Sequence, residues 1–259
     1  DPHRQPLRGL GGIAGGVGPF AGIDLAQKIM QETIAGKDQE HLPLILLSVP
    51  DQICDRTEYL AGKTVENPAF ALSKVLTLLA EAGATVASIP CNTAHAPAIF
   101  NVIKNELKEK NTKLVLLNMI SEVTAFLLKD HPGKIAGVLS TMGTWKNKVY
   151  QQAFEEAGIS QVLLNEEEQQ AVHSSIYHPS LGIKAQSEPV SEEAISILRE
   201  HAEILIARGA EVIVLGCTEI PLALKEDQLN GIPLIDANRV LGRSLIHWVA
   251  PEKLKKQNK

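Results

Sequence analysis

Two stretches far apart in the chain follow one pattern. Residues 84–95 read Ala-Thr-Val-Ala-Ser-Ile-Pro-Cys-Asn-Thr-Ala-His, and residues 210–221 read Ala-Glu-Val-Ile-Val-Leu-Gly-Cys-Thr-Glu-Ile-Pro. Each opens as a short apolar run rich in β-branched residues, the mark of a strand buried in a parallel sheet. Each stops at a cysteine followed by small or polar residues, and a helical pattern begins beyond. Laid one over the other, they set Cys91 opposite Cys217. A chain with such a pair is expected to fold as two similar halves that present the same residue at the same place.

The order of elements supports a duplication. A weak strand at 7–14, diluted by Gly9, Gly11 and Gly12, leads into the turn Gly15-Gly16-Val17-Gly18-Pro19 and a helix at 20–34. Strand 42–49, loop 50–57, helix 67–82, the first cysteine strand, helix 97–108, strand 113–117 and a helix from Ser121 to 130 follow. The cycle then restarts. Strand 134–139 ends in Ser140-Thr141-Met142-Gly143-Thr144, followed by a helix at 145–157, a short strand at 161–164 and helices at 166–177 and 188–208. The second cysteine strand, a short helix from Pro221, strand 233–235 and a helix capped by Asp236 complete it. Gly16 lies 75 positions before Cys91, and Met142 lies 75 before Cys217.

This alternation predicts an α/β fold with mainly parallel sheets flanked by helices. The expected domains are 7–120, carrying Cys91, and 121–250, carrying Cys217, related by pseudo-twofold symmetry. The last helix can pack back on the first half, and a basic tail occupies 251–259. Ligands of open α/β sheets collect at the carboxyl ends of strands. Both cysteines and both turns fall there, so a cleft between the halves is the expected site.

Composition narrows the function. A net charge of −5, mild and dispersed, argues against nucleic-acid binding. No apolar run approaches the roughly 20 residues that span a bilayer. The start carries no secretory pattern, and three cysteines do not make a disulfide framework, so a reducing cytoplasm is expected. Gly16-Val17-Gly18 falls short of a dinucleotide fingerprint: Ala21 stands where its third glycine belongs, and Asp38 and Glu40 precede the next strand instead of ending it. The turn still offers backbone N–H groups and a helix N-terminus to an anion.

Either cysteine alone would be ordinary core material. As a matched pair, each followed by hydroxyl or amide side chains that core packing does not want, they suggest chemistry. A thiol at a helix N-terminus ionises more readily than a free one. Two such groups across a cleft can face a flat, carbanion-like intermediate, one removing a proton and the other returning one to the opposite face. Cys54 has no counterpart in the second half and is expected to be a bystander.

These residues resemble the aspartate/glutamate racemases that work without pyridoxal phosphate, on the aspartate side of that family. The likeness rests on Gly15-Gly16-Val17-Gly18-Pro19, Asp55-Arg56-Thr57, Pro90-Cys91-Asn92-Thr93-Ala94-His95, Gly143-Thr144 and Gly216-Cys217-Thr218-Glu219-Ile220, in order along nearly the whole chain. Val17 stands where many members carry Met. The resemblance implies two α/β domains, a homodimer, no cofactor, no metal and a small acidic amino acid as substrate. It casts Cys91 and Cys217 as the acid–base pair, and Asn92, Thr93 and Thr218 as donors to the substrate's α-carboxylate. It casts Arg56 and Lys184, in Gly-Ile-Lys-Ala, as cations for the side-chain carboxylate, with Gly16 and Thr141 also at the substrate.

The residues themselves leave some roles open. Arg56 in a loop beyond a strand end is either a carboxylate fork or a solvated arginine beside Asp55. His95 either holds the start of a helix or tunes Cys91. Glu219 either polarises Cys217 or bonds to backbone. Three functions compete: an aspartate or glutamate racemase; a broad-specificity racemase or dicarboxylate cis–trans isomerase of the same superfamily; and a non-catalytic protein that closes on an anion.

Overall fold

The structure, a computed structural model, describes residues 9–256. Leu7 and Arg8, which open the expected first strand and first domain, and residues 257–259 of the tail lie outside them. In chain order the first half contains β1 (Gly11–Gly15), α1 (Pro19–Glu32), β2 (Leu44–Ser48), α2 (Arg56–Leu60), α3 (Pro68–Glu81), β3 (Val86–Ser88), α4 (Pro97–Glu109), β4 (Val115–Leu116) and α5 (Met119–Asp130). The second contains β5 (Ala136–Ser140), α6 (Met142–Lys146), α7 (Val149–Glu156), α8 (Glu166–Tyr177), α9 (Glu192–Ala207), β6 (Val212–Gly216), α10 (Ile220–Ala223), β7 (Gln228–Leu229), β8 (Ile232–Asp236) and α11 (Ala237–Val249).

The two sheets repeat one strand order. The first runs β2-β1-β3-β4, parallel throughout. The second runs β5-β6-β8-β7, parallel from β5 to β8, with β7 added antiparallel at the edge. A parallel bridge between Ala136 and Gln161 continues it on the free side of β5. With that bridge, 161-β5-β6-β8 follows the order of β2-β1-β3-β4. The strand expected at 161–164 is reduced to this single bridge.

β1 starts at Gly11, later than the glycine-diluted pattern suggests, and its glycines are there for space. A Cβ on Gly11 would lie 2.8 Å from Leu245 Cδ2 of α11, and one on Gly15 would lie 2.6 Å from Leu46 Cδ1 of β2. A central strand with helices on both faces leaves no room for side chains at those positions. Three further differences are local. Asn118, not Ser121, caps α5, its side chain accepting from the N–H groups of Ile120 and Ser121. The helix expected at 145–157 is two helices, broken at Lys148 in the left-handed region (φ 52°). Arg56 opens the short helix α2, capped by Asp55, where a loop was expected.

α11 packs against α1. Asn238 donates from Nδ2 to Ala21 O (3.0 Å) and Asp24 Oδ2 (2.9 Å), and Arg239 and Arg243 both pair with Glu32 at the end of α1. One buried cluster accordingly joins Ile13, Leu25 and Ile29 to Val214, Ile235, Leu241 and Leu245. Each sheet also has a cluster under its outer helices, around Leu72, Leu76 and Ile99 in the first and Val172, Leu198 and Leu205 in the second. The shared cluster brings the carboxyl ends of the two sheets together.

Candidate active site

Cys217 follows the last residue of β6 directly, and Cys91 lies three residues beyond the end of β3. Both are nearly buried, and both line one cavity. Arg56, Asn92 and Thr93 join Cys91 there, and Thr141, Lys184, Thr218 and Glu219 join Cys217. The halves touch at this point: the Thr218 hydroxyl donates to Pro90 O (3.1 Å), and Thr93 Oγ1 lies 3.0 Å from Thr141 Oγ1 and Thr144 Oγ1. The space is tight, about 10 Å³ for the centre of a water-sized sphere, or room for roughly one water.

The two thiols sit in different fields. Cys91 faces the Arg56 guanidinium. Burial works against that cation, but Cys91, Asp55 and Tyr177 around it prevail and push its pKa up. Arg56 donates from Nη1 to Cys54 O (3.2 Å), while its buried Nε has no partner among the described residues. Asp55 is not its salt-bridge partner: Oδ1 caps α2 through the Glu58 N–H, and Oδ2 accepts from the Tyr177 hydroxyl at 2.8 Å. Arg56 therefore keeps donor capacity facing the cavity.

Cys217 donates from Sγ to Glu219 Oε2 at 3.0 Å, and Glu219 Oε1 accepts from Lys184 Nζ at 2.6 Å. Burial raises the Cys217 pKa well above the thiol range, and the Glu219 carboxylate raises it further. Burial would also raise Glu219, but Lys184 and the Cys217 S–H outweigh it and hold the carboxyl below its usual range. Lys184 is the mirror case: burial disfavours its charge, Glu219 more than restores it, and the pKa goes up. Its ammonium also lies over the Tyr177 ring, 5.2 Å from the centroid.

Two expected site residues do not line the cavity. Gly16 is a backbone residue, at φ +88°, where a Cβ would fall 2.9 Å from Pro50 N and Val49 N. Its neighbour Val17 reaches the cavity instead. His95 lies behind Cys91, with Nδ1 2.8 Å from Cys91 O and Nε2 accepting from the Met119 N–H at 3.2 Å. That pairing places the proton on Nδ1. Burial pushes its pKa down to about 4, so the ring is a neutral clamp on the Cys91 loop. Among the described residues no three His, Cys, Asp or Glu side chains gather as a metal site requires.

Comparison with known proteins gives the family. The family model for Asp/Glu/hydantoin racemases matches residues 15–245. The chain belongs to that racemase family. Membership implies isomerase activity on a small amino-acid substrate. The structure is similar to that of Picrophilus torridus aspartate racemase, at 29% identity over 95% of this chain and 96% of that one, with a TM-score of 0.75. In sequence it is 24% identical to the glutamate racemase of Stutzerimonas stutzeri, over 95% of this chain and 83% of that protein. It shares its fold with the glutamate racemase of Francisella tularensis, solved with D-glutamate: 14% identity, TM-score 0.62, 98% of this chain and 85% of that one. No helix among the described residues is long and apolar enough to cross a membrane.

Sequence reasoning missed Tyr177, which lines the cavity. It ends α8, stacks on His173 (4.6 Å between centroids), holds Asp55 and lies under Lys184. Its only sequence signal was its place, just before the His178-Pro179 break and seven residues ahead of Lys184. It also missed Tyr150 of α7, whose hydroxyl donates to Asn92 Oδ1 at 2.5 Å. Nothing in the helical pattern of 145–157 separates that tyrosine from core.

Proposed function

We propose that the chain is a cofactor-independent racemase that interconverts L- and D-aspartate, with Cys91 and Cys217 as its two acid–base groups. One observation carries the reading: two cysteines from the matching ends of two sheets line one cavity together with Arg56 and Lys184. A dicarboxylate between the thiols would have its α-carboxylate at Asn92, Thr93 and Thr218 and its side-chain carboxylate at the two cations. Lys184 has three N–H donors and gives one to Glu219, which leaves others for a ligand. The Thr218 hydroxyl is directed at Pro90 O here and must turn to serve the substrate.

The fields around the thiols suggest their resting roles. Glu219 keeps Cys217 protonated, so it starts as acid, which leaves the opening role of base to Cys91 beside the Arg56 guanidinium. In one direction the Cα–H bond breaks as an S–H bond forms on Cys91, leaving the electron pair spread into the α-carboxylate. The Cys217 S–H bond then breaks as a new Cα–H bond forms on the opposite face. The product is the other enantiomer, with Cys91 as thiol and Cys217 as thiolate. The reverse direction starts from that state.

A Cα–H beside a carboxylate is a far weaker acid than a thiol, and each pKa unit costs about 1.4 kcal/mol. Stabilising the charge that builds on the carboxylate is therefore the site's main task, and aimed donors in a dry cleft do it. The small cavity matches such a closed state and requires the halves to part, or Tyr177 and Lys184 to swing, before an amino acid enters. The reducing cytoplasm expected from the cysteines and the homodimer implied by the resemblance belong to the same proposal.

The test is chiral chromatography of each enantiomer of aspartate and glutamate after incubation with reduced protein in heavy water, no cofactor added. Inverted aspartate carrying deuterium at Cα is the expected result. A cis–trans isomerase would need no such label, and a binding protein would leave every enantiomer unchanged.

A further inference from the structure

Tyr150 is almost fully buried, and it touches both cysteine motifs. Its ring packs against Gly216, the residue before Cys217: a Cβ there would lie 3.1 Å from Tyr150 Cε2. Its hydroxyl reaches across to Asn92, the residue after Cys91, donating to Oδ1 at 2.5 Å. Asn92 is itself buried (2% exposed) and lines the cavity, and its Nδ2 has no partner among the described residues.

A carboxamide has an accepting end and a donating end, and a buried amide group left unpaired is costly. With Oδ1 bound by a phenol, the NH₂ end is what remains for a ligand in the cavity. An α-carboxylate is an acceptor only, so this orientation fits it and the flipped one opposes it. Burial pushes the phenol pKa up, with Cys217 and Asp236 adding to the effect, so the hydroxyl stays a donor.

We infer that Tyr150 is a positioning residue for the proposed reaction: it holds Asn92 with its amide N–H groups turned toward the substrate carboxylate. The inference rests on the racemase reading above. It assigns to α7 of the second half the orientation of a binding group in the first, so the donor is correctly aimed only when the two halves are docked.

The test compares wild type, Tyr150→Phe, Asn92→Ala and the double variant in aspartate racemisation, with melting temperatures measured alongside. Tyr150→Phe should lower kcat about five- to tenfold and change KM less, since charge on the carboxylate grows toward the transition state. In the Asn92→Ala background the same change should cost nothing further in kcat/KM. Effects that multiply, or a Tyr150→Phe enzyme with wild-type kinetics, would overturn the inference. Asn92→Asp gives a second reading with Tyr150 intact. One oxygen would accept from the phenol and the other would face the substrate carboxylate, so it should be at least tenfold worse than Asn92→Ala; equal or better activity also overturns the inference. Wild-type protein that leaves both enantiomers of aspartate untouched sinks the racemase reading itself.

Discussion

The loops around Cys91 and Cys217 occupy equivalent places in two sheets of the same strand order, yet their electrostatic surroundings are opposed. Cys91 meets a guanidinium with donor capacity to spare, while Cys217 donates to a carboxylate that a lysine holds ionised. A racemase must treat two mirror-image substrates nearly alike, which favours symmetric protein halves. In the proposed two-base scheme each turnover also begins with one base and one acid, and a difference between the halves sets which thiol holds the proton at rest. On that proposal the repeated sheet order serves the first need, and the polar neighbours serve the second.

The most severe break of this comparison removes a sulfur. Cys91→Ser and Cys217→Ser should each lower racemisation by roughly a thousandfold or more, the scale of an acid–base group. In heavy water Cys217→Ser should still exchange the Cα proton of one enantiomer, the one that Cys91 deprotonates, and Cys91→Ser that of the other. Exchange of the same enantiomer by both variants would remove the two-base scheme.

The cations separate next. Arg56→Ala should lower kcat/KM about a hundredfold, because a buried charge-assisted fork is lost along with the field at Cys91. Lys184→Ala should cost closer to tenfold, since Glu219 already counters much of its charge. Equal losses would mean that the two cations do the same work. Steady-state kinetics of both variants decides it.

Glu219→Gln probes the acid itself. Without the carboxylate, Cys217 gives up its proton at lower pH, so the alkaline limb of the pH–rate profile should move down while the maximum rate falls only a few-fold. An unmoved limb would show that Glu219 does not set the ionisation of Cys217.

The last expected effect is on stability and leaves catalysis aside; it lies behind Cys91. His95 is neutral when folded, with a pKa near 4, and titrates near 6.5 when unfolded. Between those values the unfolded chain binds more protons, so stability is full above about pH 6.5 and falls as pH drops toward 4. The loss from this residue is about 3 kcal/mol. Denaturant melts of wild type and His95→Gln at pH 7.5 and pH 4.5 should differ in pH dependence by that amount, and parallel curves would contradict the buried-clamp geometry.

Much of this was legible from local pattern. The apolar runs of β3 and β6, helix α8 at its full extent and the Asp236 cap of α11 are written in period and capping residues, which act over a few positions. The start of β1 was not. Gly11 and Gly15 dilute a strand signal because of Leu245 and Leu46, which are distant in the chain. The break at Lys148 and the cap at Asn118 were close choices between neighbouring residues, where local signals are weakest. In the cavity the cysteine motifs were visible as repeats, while Tyr177 and Tyr150 looked like ordinary helix residues until the folded chain set them against Asp55 and Asn92.

The sequence by itself determined the duplicated α/β plan, the pairing of Cys91 with Cys217 and the family, because period, spacing and motif survive without coordinates. Only the tertiary structure decided that Lys184 is tied to Glu219, that Arg56 is not tied to Asp55, and that Gly16 and His95 stand behind the cavity. Those outcomes depend on which charges and hydrogen-bonding groups remain unpaired once two distant segments meet, and Coulomb and hydrogen-bond energies are set by a few ångströms of separation that residue order does not encode.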